Sequence, residues 1–205
     1  MKTLLKIFFL MAVISLVAGC NKTDEFKADE DLQLKSAQPN VKSAQPHEVT
    51  VPFEVNLMGE ITNLIDDDPE CINEGYAYHV VVETSGNATH MGKVTLTFDF
   101  CTAGPPDPNI PGSFYTYAAS SSEMIAANGD KLFLYFGGSS GILGRTDDHP
   151  DFVTDYWRDI ATITGGTGRF EGASGELLMD DYCTNIDDYT HHHWTGEITL
   201  VKGKK

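Results

Sequence analysis

From Val49 to Leu57 every odd position is apolar (Val49, Val51, Phe53, Val55, Leu57), and Glu48, Thr50, Glu54 and Asn56 alternate with them. A period of two puts one set of side chains on each face of an extended strand, so this segment reads as half-buried β-structure. The pattern returns in Tyr76, Tyr78, Val80 and Val82, which alternate with His79 and Glu83 up to a turn expected at "SGN", residues 85–87. It returns again in "KVTLTFDFC", where Val94, Leu96, Phe98 and Phe100 share one face and Lys93, Thr95, Thr97 and Asp99 the other. No segment carries a helical stripe of useful length.

Between these runs lie breakers. "DDDPECINEG" and the proline-rich "TAGPPDPNIPG" read as loops, since proline cannot donate to a strand ladder. Short strands are expected at 113–119 and 123–127. "ANGDK" then carries Asn-Gly, a strong hairpin signal, ahead of "LFLYF" at 132–136. "GGSSG" and "RTDDHPD" read as loops, and further strands are expected at 152–164, 175–182 and 190–201. About eight strands joined mostly by short turns predict a single all-β domain. It is either a closed antiparallel barrel or, as the alternative, a β-sandwich.

The first residues read differently. Met1, Lys2 and Lys6 give a short basic start, Leu4 to Val17 is almost unbroken apolar sequence, and "LVAGC" places small residues before Cys20. A basic start, an apolar stretch and a small-residue cleavage site make a secretory signal. The apolar run is shorter than the roughly 20 residues that a spanning helix needs. Small residues followed at once by cysteine resemble the bacterial lipobox, which implies a signal peptide over 1–19, lipidation of Cys20 and anchoring to the outer membrane by acyl chains such as palmitate. Residues 20–46 are polar, repeat "KSAQP" and read as a disordered acidic tether. Its acids, Asp24, Glu25, Asp29, Glu30 and Asp31, resemble the surface-directing signals of some bacterial lipoproteins. They read equally as a solvated linker. The β-domain would then occupy 47–205.

The chain carries a formal net charge of −16, and losing Lys2 and Lys6 with the signal peptide would take it to −18. Such a chain repels nucleic acid, which is excluded as a partner. Three cysteines remain beyond Cys20. An exported compartment permits a disulfide. Cys71 and Cys101 flank adjacent strands and form the favoured pair, leaving Cys183.

The stretch "ITGGTGRFEGASGE", residues 163–176, holds Gly165, Gly166, Gly168, Gly172 and Gly175. A dinucleotide fingerprint would need the third glycine one residue earlier and a helix after it, and "SGELLMDDY" reads as a strand. The glycines are therefore expected to form a corner between two strands, with Phe170 packed beneath it to seal one end. This segment resembles the glycine-rich segment of the allene oxide cyclase and dirigent group, and "SGNATHMGKVTLTF" looks like a strand–turn–strand of bacterial lipoproteins assigned to that barrel-like group. The resemblance implies an eight-stranded barrel over residues 49–201 with an apolar lumen, in which the glycines, Thr167, Arg169 and Phe170 are structural. No catalytic residue of the plant enzymes maps onto this sequence.

In "YTHHHWTGEI", His191, His193, Thr195 and Glu197 share one strand face, while His192, Trp194 and Ile198 share the other. His191 and His193 could present two imidazoles to zinc, with His90, Glu176 or Asp180 as third ligand, or could simply face solvent. His90, in phase with Val94, Leu96 and Phe98, is expected to point into the lumen as a polar group there. No cofactor is expected, and no nucleophile–base–orienter set is recognisable. The leading expectation is a non-catalytic module that holds a small apolar ligand or serves a structural role. The alternative is a barrel enzyme, either cyclase- or isomerase-like or a metal-assisted hydrolase using His191 and His193.

Overall fold

The structure, a computed structural model, describes residues 47–202 except 105, 106, 108 and 111. The expected signal peptide, Cys20 and the tether lie outside the described residues. The rest is one continuous antiparallel sheet of eleven strands. They are β1 (His47–Asp66), β2 (Tyr78–Ala88), β3 (Gly92–Thr102), β4 (Phe114–Tyr117), β5 (Ser120–Ala126), β6 (Lys131–Phe136), β7 (Ser139–Leu143), β8 (Val153–Trp157), β9 (Ile160–Gly166), β10 (Ser174–Thr184) and β11 (Thr190–Lys202).

Pairing of β1 with β11 and of β3 with both β4 and β5 closes the sheet on itself. Consecutive pieces β4/β5, β6/β7 and β8/β9 are halves of three long strands, so the molecule is a closed barrel of eight staves, each beside its neighbours in sequence. Closure removes the exposed edges that an open sheet must protect.

Two of the breaks shift the side-chain phase. Across Ala118–Ala119 the inward set passes from odd positions (Tyr115, Tyr117) to even ones (Met124, Ala126). Across Gly137–Gly138 it passes from even (Leu132, Leu134, Phe136) to odd (Gly141). The two breaks face each other. A Cβ on Gly138 would lie 2.8 Å from the Ala119 nitrogen and the Tyr117 carbonyl, and its φ of +78° suits only glycine without strain. "GGSSG" is thus a break followed by a strand and not the expected loop.

Two further expectations are corrected. The turn placed at "SGN" lies later, at Thr89–Met91, and Ser85–Asn87 are strand residues paired with Met58, Leu57 and Asn56. Gly86 is needed there because the Asn56 carbonyl leaves no space for a Cβ. The acidic loop 66–75 also holds a short helix, α1 (Pro69–Glu74). Its signals are local: Asp68 caps it through a 2.9 Å bond from the Glu70 N–H, Pro69 opens it, and Gly75 ends it at a φ of +91°. Six residues are too few to show a stripe.

One end of the barrel is filled. Phe53, Val55, Leu96, Met124, Leu132, Leu177, Trp194 and Ile198 are almost wholly buried there. The glycine-rich segment crosses this end as a 3-10 turn (Gly168–Phe170) between β9 and β10, with Phe170 1 % exposed beneath it. Gly165 (φ +148°) and Gly168 (φ +57°) take backbone conformations that side chains disfavour. A Cβ on Gly166 would overlap the Lys131 carbonyl and the Phe170 side chain.

Candidate functional site

The opposite end is not filled. There the inward side chains of the same staves enclose a cavity of about 250 Å³. Val80 and Val82 of β2, Phe98 and Phe100 of β3, Phe136 of β6 and Met179 of β10 form its apolar wall. Phe98, Phe136 and Trp194 meet at centroid distances of 5.3, 5.8 and 6.1 Å and floor it toward the packed end. Ile61 and Leu64 also line it, yet they are 51 % and 60 % exposed. The reason is topological: β11 begins at Thr190 opposite Gly59, so beyond that point β1 pairs only with β2 and the wall stands open.

On the far side the ring of Tyr115 lies across Gly141, its partner on β7, where any Cβ would collide with it. This lays Tyr115 against the wall beside Tyr117, Trp157, Asp159 and Cys183. Burial, reinforced by Asp155 for Tyr115 and by Asp159 for Tyr117, pushes both phenols well above their ordinary range, so both stay protonated donors. Burial raises the Asp159 carboxyl, whose Oδ2 lies 3.5 Å from the Tyr117 hydroxyl. Burial and then Asp155 raise the Cys183 thiol, so it has none of the thiolate character of a nucleophilic cysteine.

At the cavity floor three inward residues of β11 meet one of β10. Thr190 Oγ1 and His192 Nε2 are 2.9 Å apart, and Trp194 Nε1 donates to Asp181 Oδ1 at 2.7 Å. His192 Nδ1 lies 2.9 Å from Asp181 Oδ2, an ion-pair distance, but the two are not aligned as donor and acceptor and neither has a hydrogen bond. Asp181 is fully buried and His192 4 % exposed. The result is a hydroxyl hydrogen-bonded to an imidazole that has a carboxylate at ion-pair distance behind it, beneath an apolar chamber. A hydroxyl and an imidazole so placed are groups that can pass a proton to or from a bound molecule. This set went unrecognised in the sequence, although a signal exists. Asp181 is in phase with Leu177 and Met179, and His192 with Trp194 and Ile198, so both fall on the inward face.

The residues singled out from sequence lie elsewhere. His90 does not point into the lumen. It is exposed in the β2–β3 turn at the packed end, at a φ of +64°, with its ring 6.4 Å from Phe53. The turn breaks the period of two, and Met91 takes the inward position. His191 and His193 share the outer face, but each has its own partner: Asp187 at 3.1 Å for His191 Nε2 and Asn56 Oδ1 at 2.7 Å for His193 Nδ1. Asp180 is held by Arg158 and His149, and Glu176 sits outward opposite Glu197. Among the described residues no group of three or more His, Cys, Asp and Glu is arranged to hold a metal. Cys71 and Cys101 are joined as a disulfide, which fixes α1 to the outer face of β3 near the open end, and Cys183 is free. His79 supports the same clamp, at 3.3 Å from Asp68 and 2.5 Å from Asp99.

No family model matches the chain, and no curated protein matches it. Among solved structures it is similar to a pterocarpan synthase dirigent protein, at 12 % identity and a TM-score of 0.44, over 83 % of this chain and 99 % of that one. The barrel assignment stands on this chain's own strand pairing.

Proposed function

We propose that this chain is a binding module held at the outer membrane by a lipid on Cys20, and that its barrel, of the allene oxide cyclase and dirigent kind, takes a small, largely apolar molecule into the open end. The observation that carries the binding reading is the unfilled chamber of about 250 Å³, walled by inward apolar side chains and open at Ile61 and Leu64. A concave, mostly apolar site with a few convergent polar groups is the usual form of a small-molecule pocket. Titration of the full-length chain with a small apolar fluorophore should saturate, and Val80→Trp, which fills the chamber, should abolish binding while the melting temperature holds. Failure of the parent chain to saturate would remove the proposal.

The series Thr190–His192–Asp181 favours a second reading, a barrel enzyme that moves a proton on the bound molecule. Turnover of small carbonyl or ester compounds that is lost in His192→Gln, with fluorophore binding retained, would favour it over simple binding.

A further inference from the structure

We propose that the chamber selects an organic cation, a small apolar molecule carrying an ammonium group. The inference rests on the reading that the chamber takes a ligand, and deepens it by assigning the ligand's charge. Three carboxylates surround the space. Asp159 lines it directly, Asp155 stands behind Cys183 on the neighbouring stave, and Asp181 lies beneath His192. Among the described residues no lysine or arginine lines the chamber. Arg158, next to Asp159 in sequence, turns outward and is held there by Asp148 at 2.7 Å and Asp180 at 2.6 Å.

Among the described residues, the side-chain donors at Asp155 and Asp159 are neutral. Asp155 is met by the Thr154 hydroxyl at 2.9 Å and by the Cys183 thiol. Asp159 takes the Ile160 N–H at 2.7 Å and the distant Tyr117 hydroxyl. His192 is the one basic side chain in the wall among the described residues; it lies at ion-pair distance from Asp181 and is hydrogen-bonded to Thr190. Burial, and to a lesser degree the nearby Asp181, raises the Asp159 carboxyl, so its negative charge is disfavoured where it stands. Asp155 and Asp159 are desolvated and have no charged partner among the described residues, which is costly, and a cation placed beside them offsets that cost.

The wall offers the second half of such a site. Trp157, Phe98, Phe100, Phe136, Tyr115 and Tyr117 all line the chamber, and aromatic faces attract desolvated ammonium groups. An anion would meet carboxylates and ring faces of its own sign. A neutral molecule would gain only the apolar wall.

The test uses three probes of similar size on the full-length chain at neutral pH: benzyltrimethylammonium, its uncharged carbon isostere neopentylbenzene, and phenylacetate. The cation should bind about tenfold or more tighter than the isostere, a difference within the range of desolvated cation–π and carboxylate contacts, and phenylacetate should not bind measurably. Asp159→Asn, which keeps shape and removes charge, should weaken the cation by a similar factor and leave the isostere unchanged. If that variant does not fold, Asp155→Asn serves the same purpose. Equal binding of cation and isostere by the parent chain, or a cation affinity unmoved by both variants, would overturn the charge assignment alone. If none of the three binds while the apolar fluorophore still saturates, the charge assignment again falls alone. If the fluorophore fails as well, the ligand-binding reading falls with it.

Discussion

Asp181 sits where an inward strand residue of this barrel would ordinarily be apolar, and two neighbours depend on it. Replacing it by alanine strands the Trp194 N–H and leaves His192 without its carboxylate. Breaking a buried polar pair in this way should cost roughly 3–5 kcal/mol by urea melt. Asp181→Asn keeps an acceptor for Trp194 and should cost less than half as much. On the outer face, Asp148 is held down to about 2 by the Thr146 hydroxyl and then by Arg158. A carboxyl whose folded pKa lies below its unfolded value stabilises the fold above the unfolded value, and loses that contribution as pH falls through the folded one. The stability difference between parent and Asp148→Asn should therefore be full at pH 6 and fade as the pH falls from about 4 toward 2, as read by melts across that range.

At the level of elements, the glycine-rich corner and the α1 clamp secure opposite ends. Gly168→Val forces a β-branched residue to a φ of +57° against Asp130, and Gly166→Val collides with the Lys131 carbonyl. Each should destabilise by roughly 1–3 kcal/mol, read by urea melt, with or without a ligand. The disulfide closes a separation of 30 residues, so Cys71→Ala/Cys101→Ala should cost about 3–4 kcal/mol by the loop-entropy relation. Much of this architecture was legible beforehand, because a period of two over β1, β2 and β3 admits little besides a half-buried sheet. Phase was lost where one stave slips against another. Nothing in Ala118–Ala119 or Gly137–Gly138 taken singly announces that the inward set changes parity, because each break is set by the one facing it. His90 was misplaced for a related reason, since a three-residue turn consumed the alternation on which its assignment relied. Asp181 and His192 were in phase with core residues, but their meeting depends on the β10–β11 register, which local pattern does not specify.

For the whole molecule, the barrel divides into a packed half, which supplies stability, and a hollow half, which supplies the site. Phe170→Ala at the packed end should cost about 3–5 kcal/mol by urea melt, whereas substitutions in the chamber wall should alter binding first. The proposed lipid anchor belongs to this scale too. Cys20→Ala should move the protein from the membrane fraction to the soluble one, and continued tight membrane association of that variant would count against anchoring.

Strand β1 belongs to both halves. From Val55 to Gly59 its backbone is flanked by β11 on one side and β2 on the other, and beyond Gly59 only by β2. One unbroken strand should therefore show two lifetimes in hydrogen–deuterium exchange: amides 55–58 released only by global opening, and amides 60–66 by local fraying. The boundary is the point at which the chamber wall can breathe, so a molecule entering the barrel would pass the segment that opens most often. A bound ligand should slow exchange at 60–66 and leave 55–58 unchanged.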